Sequence, residues 1–441
     1  MKRDAFLARP LAARYHEACA VTDQLFDVVD RAHWYDRPIA ERHRIIFYIG
    51  HLEAFDWNLL AGTLVERRSF DEALDRLFAF GIDPVGGGLP TDVPEDWPSL
   101  DRVLAYRDGV RGTIGAALRE PASESLVAKS AIDSASQAAR DQLMSVAVEH
   151  RLMHAETLAY MLHQLPAATK IVPPGLRREA EDRWRSPAQA LQPIPAGTAK
   201  LGLDREKDRD VFGWDNEYGA DVREVPGFSI QRHMVSNGDF LRFIEADGYR
   251  DPRWWSEHDW QWVQAAGISK PGFWRPSPDG WRLTGMFGDM PLPLSWPVYV
   301  SHAEASAYAR FVGKALPTEA QWVRAAEGAV TAEAPTTGNF DFRRWDPIAV
   351  DAPSQPLSVH GVLGQFGNGW EWTADAFGPF DGFEPFPFYK GYSANFFDGQ
   401  HFVLKGAASR TAACMVRPSF RNWFQPHYQN VYAGFRCVEA A

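Results

Sequence analysis

Glu149-His150-Arg151-Leu152-Met153-His154-Ala155-Glu156 is the stretch whose reading decides the fold. It lies in a run from about Ile132 to Gln164 that contains no Gly and no Pro. Leu143, Ala147, His150, His154, Leu158 and Met161 recur every three or four residues, so they share one helix face. Histidines at i and i+4 lie roughly 5–6 Å apart at Cβ, close enough to grip one ion from the same side. Both sit on the apolar stripe, where imidazoles without partners are costly. Two readings stand at this point: histidines bonded to carbonyls or carboxylates in a core, or a pair of metal ligands awaiting a third.

Outward from this helix, the N-terminal part reads as a bundle. Pro10 to Val29 is predicted helical, with Leu11, Tyr15, Cys19 and Thr22 at helical spacing. A second helix is predicted from Ile39 to Arg67, where His51 shares a stripe with Phe55 and Leu59. His51 is the third-ligand candidate, although taken alone it reads more readily as a core histidine. A short helix over Phe70–Phe80 follows, and another starts near Ser99. Four long helices with ligands projecting inward define a helical bundle. The loop Gly81–Pro90 has three adjacent glycines but no following Lys-Ser/Thr, so it is not a phosphate loop. From Leu77 to Asp101 there is no Lys or Arg, while Asp83, Asp92, Glu95, Asp96 and Asp101 are acidic.

The C-terminal part differs in character. Most of the 17 Trp fall after Arg183, among short strands and turns. The expected organisation is 1–165 as bundle, 166–205 as a Pro/Ala-rich linker and 206–441 as an irregular α+β domain. Its two short helices are expected at Ser301–Val312 and Glu319–Glu327. A net charge of −11 and the lack of a basic block argue against nucleic acid as a partner. Three dispersed cysteines point to a reducing cytoplasm, and no apolar run has the length of a membrane span. Oligomeric state is not legible. Glu149, Arg151 and Glu156 are expected on a solvated face or behind the ligands.

Five motifs then carry a resemblance. Trp214-Asp215-Asn216-Glu217, Val235–Phe240, Leu316–Trp322, Gly367–Thr373 and Ala433–Arg436 resemble the formylglycine-generating-enzyme-like (sulfatase-modifying-factor, C-type-lectin-like) domain. The N-terminal half, with its three histidines, resembles a DinB-like four-helix bundle. The pair is similar to the hercynine-dependent non-haem iron sulfoxide and selenoxide synthases, EgtB-like for ergothioneine and SenA-like for selenoneine.

That resemblance implies a non-haem iron oxidoreductase: Fe(II) on His51, His150 and His154, O2 as co-substrate, and hercynine as acceptor of a new C–S or C–Se bond. It places the acceptor pocket in the C-terminal domain, with Asn422 bonding the imidazole nitrogen and Trp423 and Trp370 among its aromatic lining. Tyr389 or Tyr392 would donate a proton or bond the acceptor carboxylate, although ordinary packing accounts for either ring equally well. The chain departs from the family's γ-glutamylcysteine users at Phe424 and Tyr428, where they carry an acidic and a basic residue, and at Gly86-Gly87-Gly88, where they carry arginine. Met153 replaces a glutamine that reaches the acceptor. A desolvated carboxylate needs a cation, so a selenosugar is the expected donor, with acidic residues repelling an anionic thiol. Alternatively, Arg102, Arg107 or Arg111 swings in to serve a cysteine-derived thiol. A non-catalytic metal- or ligand-binding module is the remaining alternative. Copper-dependent formylglycine formation is not expected, because Cys414 and Cys437 do not form the required pair.

Overall fold

The computed structural model describes residues 9–61, 69–79, 89–119, 130–174, 176, 185–330 and 337–440. The chain divides into two units, residues 7–176 and residues 177–441.

The first unit is helical: α1 (Leu11–Phe26), α2 (Ile45–Leu60), the short α3 (Glu72–Leu77), α4 (Leu100–Arg119) and α5 (Ser130–His163). Helix α1 packs on α5, and α2 packs on both α4 and α5. Nearly every side chain of α2 is buried, so it is the central helix. The stripe on α5 is buried as its spacing predicts, from Leu143 to Met161. Helix α2 is shorter at both ends than the expected 39–67. It begins after Arg44, whose side chain is held by Asp92 and the Tyr35 carbonyl. Asp71 caps α3 by accepting from the Leu74 amide at 3.1 Å. The triple-glycine segment 86–88 lies outside the described residues.

The second unit is assembled from small sheets. β1 (Leu191–Ile194), β4 (Phe228–Gln231) and β12 (Val438–Ala440) form one antiparallel sheet, and β2 (Gly197–Leu201) pairs with β3 (Asp221–Val225). Thus 191–201, expected as linker, is strand: alternate residues Ala199 and Leu201 are buried while their neighbours face out. Helices α6 (Asn237–Glu245) and α7 (Glu257–Ala266) follow, then the meander β5 (Trp274–Ser277), β6 (Gly280–Gly285) and β7 (Gly288–Pro291). Neither α6 nor α7 is anticipated above. Their signal is a serine cap three residues before an aspartate, at Ser236/Asp239 and Ser256/Asp259. The two anticipated helices are α8 (His302–Phe311) and α9 (Glu319–Ala325). The largest sheet has the order β10 (Asn422–Phe424), β9 (Phe402–Ala407), β8 (Gly369–Ala376), β11 (Ala433–Gly434).

The motifs of this unit meet as buried ion pairs. Glu217 takes Arg417 and the Ser419 hydroxyl. Glu319 takes Arg421 at 3.0 Å and Lys405 at 3.3 Å. Glu371 takes Arg436 through two oxygens at 2.6 Å, and the Trp322 indole at 2.9 Å. Removing one partner of such a pair leaves a buried charge unmatched. Arg436→Met is therefore expected to cost about 3–5 kcal/mol, read as a lowered urea midpoint at unchanged slope.

Candidate functional site

Helix α2 supplies His51, and α5 supplies His150 and His154. Their exposures are 5%, 2% and 6%. The His51 and His154 Nε2 atoms are 3.2 Å apart, and the His154 and His150 Nε2 atoms are 3.1 Å apart. Two nitrogens each about 2.1 Å from one ion, at near-right angles, stand about 3.0–3.2 Å apart. The convergence is that of ligands on one face of an ion. The tautomer of His51 is set from outside, because its Nδ1–H donates to the Phe78 carbonyl at 2.8 Å and leaves Nε2 as a lone pair.

Gly50 makes that hydrogen bond possible. A Cβ there would lie 2.3 Å from the Phe78 ring, so only glycine lets Phe78 approach α2. Phe47 stacks on His51 with centroids 5.0 Å apart, and Phe55 stacks on His150 at 3.4 Å. Burial pushes the His51 pKa down to about 4 and holds His150 and His154 well below the ordinary range, with the Arg151 charge acting in the same direction. All three rings are neutral at pH 7, the state that ligates metal.

Of the two positions expected for the charges on α5, a solvated face or a place behind the ligands, the structure takes the second. Glu149, Arg151 and Glu156 are 2%, 0% and 8% exposed. Arg151 donates to both carboxylate oxygens of Glu53, at 2.9 and 3.1 Å, and to Asp56. Glu53 also holds Arg111, and Asp56 accepts from the Tyr15 hydroxyl at 2.9 Å. Burial raises both carboxylates, but Arg151 and Arg111 outweigh it at Glu53, which titrates low. Burial prevails at Asp56, which rises to about 6. This cluster ties α2 to α5 directly beside the imidazoles, because Glu53 is two residues from His51 and Arg151 adjoins His150. The available signal was two carboxylates on the helix of the lone histidine and an arginine on the helix of the pair.

In the second unit, Trp423 stacks on Phe377 at 4.3 Å and meets Tyr392 edge-on at 5.4 Å. Tyr392 stacks on Trp214 at 4.1 Å, and Tyr389 lies 5.6 Å from Tyr392. Asn422 accepts from the Trp423 amide through Oδ1, at 2.9 Å, leaving its Nδ2 to donate elsewhere. Phe424 and Tyr428 stack nearly parallel, 5.4 Å apart at 3°. Asn422, Trp423, Tyr389 and Tyr392 thus form one neighbourhood. Trp370 is not open to it: at 1% exposure it stacks on Phe420 inside the sheet, because strand β8 is covered on both faces. Cys414 and Cys437 are buried and form no disulfide.

The fold class is now defined: a DinB-type helical bundle, whose three histidines could hold a metal ion, joined to a sulfatase-modifying-factor domain. Residues 14–158 match the DinB superfamily, and residues 177–441 match the sulfatase-modifying factor enzyme 1-like domain. Hercynine oxygenase of Mycolicibacterium smegmatis is 33% identical over 312 residues, covering 66% of this chain and 70% of that one. Hercynine oxygenase of Mycobacterium tuberculosis is 38% identical over 250 residues, 54% of this chain and 57% of that one. Ergothioneine biosynthesis protein 1 of Neurospora crassa is 26% identical over 492 aligned positions, 91% of this chain and 54% of that one. The chain thus spans little more than half the length of the last two relatives. It belongs to the hercynine oxygenase (EgtB-like) family. Among the described residues no helix is long and apolar enough to cross a membrane.

Two outcomes are expected at the triad. As pH falls from 6.5 toward 4, the unfolded chain takes up protons that the buried rings refuse, so the metal-free protein loses stability over that window. His154→Phe is expected to flatten that slope in denaturation midpoints measured from pH 7 to 5. Gly50→Ala, favourable in an ordinary helix by about 0.5–1 kcal/mol, is expected here to displace Phe78 and weaken metal binding about 10–100-fold, measured by equilibrium dialysis.

Proposed function

We propose that His51, His150 and His154 hold Fe(II) and that the chain uses O2 to join a chalcogen to the imidazole carbon of hercynine. The carrying observation is the convergence of three neutral Nε2 atoms in a chain of this family. Iron, when bound, supplies open positions for O2 and for a soft anionic donor. The overall change balances as imidazole C–H plus chalcogenol plus O2, giving the oxide of the new C–S or C–Se compound plus water. O2 takes four electrons: one oxygen ends on the chalcogen and the other leaves as water.

The remaining work falls to side chains. The Phe55 and Phe47 rings exclude water from the His150 and His51 planes. The Asn422 Nδ2 donates to the acceptor's imidazole nitrogen. The rings of Trp423 and Tyr392 offer faces to the quaternary ammonium, and the Tyr389 or Tyr392 hydroxyl delivers a proton.

For the donor we favour a selenosugar. The Phe424–Tyr428 stack offers ring faces and one hydroxyl where an anionic thiol would need charge. Arg102 meets Asp71, Arg107 meets Asp108, and Arg111 meets Asp23 and Glu53. None of the three stands as a spare cation. Acidic repulsion is weaker than the sequence suggests, because Asp92 is neutralised by Arg37 and Arg44. Selectivity against an anionic thiol then rests, among the described residues, on the engagement of these three arginines with carboxylates. The second reading is a cysteine-derived thiol donor for ergothioneine, which the names of the relatives favour.

The test is turnover by iron-loaded protein with hercynine and either selenoglucose or γ-glutamylcysteine, followed by product mass and O2 uptake. The selenium product is expected at least tenfold faster. Turnover of γ-glutamylcysteine alone selects the thiol reading. Absence of O2 uptake with either donor makes the chain a binding module.

A further inference from the structure

A second group of metal-ligating side chains lies wholly within the unit of residues 177–441 and has no part in the chemistry above. His258 and Asp259 stand on the first turn of α7, and His427 on the turn after β10. One ligand atom from each lies within 4.8 Å of the other two. Ligands about 2.1 Å from one tetrahedral ion stand about 3.4 Å apart, so the separations here close by at most about 1.4 Å. His258 is exposed and free to make that movement.

The arrangement is built. His427 Nε2 stands 2.9 Å from Asp259 Oδ1. The His427 ring stacks on the parallel Trp262 ring at 4.5 Å, and the His258 ring lies 5.0 Å from it. The other carboxylate oxygen of Asp259 accepts from the Ser256 hydroxyl at 2.6 Å, which orients the carboxylate as supporting hydrogen bonds do around metal ligands. These groups open on a cavity of about 790 Å³ that His302 also lines. The Thr373 carbonyl accepts from His302 Nε2 at 3.1 Å, so His302 Nδ1 carries a lone pair.

Two cations share the cavity wall, and both are engaged. Lys314 pairs with Glu439, and Arg310 donates to the Trp254 carbonyl. The helix start opposes a cation only weakly, against three direct ligands, one of them an anion. Two imidazoles and one carboxylate with an open position suit zinc or a neighbouring first-row divalent ion better than calcium or magnesium, which take oxygen.

We propose that His258, Asp259 and His427 form a second, solvent-accessible transition-metal site, separate from the histidine triad. Its ion pins the turn 425–428 to α7, and so fixes the segment that follows Asn422 and Trp423.

The test is Zn2+ alone as probe, by calorimetry and dialysis on the full chain. Wild type is expected to bind two equivalents. His51→Ala/His154→Ala should keep one, and His258→Ala/His427→Ala should keep the other. Asp259→Asn, which preserves the helix cap, should weaken the second equivalent about tenfold or more. Co2+ bound to the triad-deficient variant should show the visible bands of a nitrogen–oxygen site, and these should vanish on adding His427→Ala. The equivalent retained on the triad reports that the His258/His427 variant is folded. One equivalent in wild type, or two in the His258→Ala/His427→Ala variant, would overturn the proposal.

Discussion

A fully buried arginine is the constraint on which the first unit depends. Arg151 has no solvent to turn to, and a guanidinium cannot shed its charge. Desolvating such a group costs several kcal/mol, so the fold is viable only where carboxylates meet it. Glu53 and Asp56 do so from the neighbouring helix, which sets the rotation and register of α2 against α5. Because His51 shares a helix with those carboxylates and His150 adjoins the arginine, the clasp that closes the bundle also brings the imidazoles together. The convergence of the imidazoles and the fold are coupled here through one charge.

The second unit repeats this logic around its motif carboxylates. Its motif carboxylates at 217, 319 and 371 each bind an arginine contributed by a late segment of the chain, at 417, 421 and 436. Each pair joins residues far apart in sequence; at Glu217 and Glu371 the arginine binds through a forked pair of hydrogen bonds, and at Glu319 Arg421 shares the carboxylate with Lys405. The residues that make the motifs recognisable are therefore mainly those that hold the scaffold. The aromatic neighbourhood of Trp423, Tyr392 and Trp214 rests on it: Arg421, adjacent to Asn422, is anchored on Glu319 and lies 5.0 Å from the Phe377 ring that supports Trp423.

Neutral imidazoles beside a buried cation need explanation, since a metal ion adds further positive charge. Glu53 and Asp56 offset Arg151 on the spot, and Glu53 shares its charge with Arg111 as well. What reaches the rings is mainly the low polarity of their surroundings, which keeps protons off the nitrogens and leaves the lone pairs directed at one point.

The helices of the bundle, the inward stripe on α5 and the three candidate ligands were legible in the residues alone, because helical periodicity is local and apolar residues declare it. So was the motif order that marks the second unit. That His51 meets His150 and His154 is a property of the folded chain, since no local pattern encodes the register between two helices separated by nearly a hundred residues. Folding also settled which of the two positions expected for Glu149, Arg151 and Glu156 is taken: they lie in the interior behind the ligands and not on a solvated face, with Arg151 finding its carboxylates on α2. Trp370 became core rather than pocket, and 191–201 became strands rather than linker, for a related reason. Burial on both faces of β8, and pairing of β1 with β4, are properties of sheets whose members are distant in the chain. Periodicity speaks for one element at a time; charge pairing and sheet partnership belong to the assembled molecule.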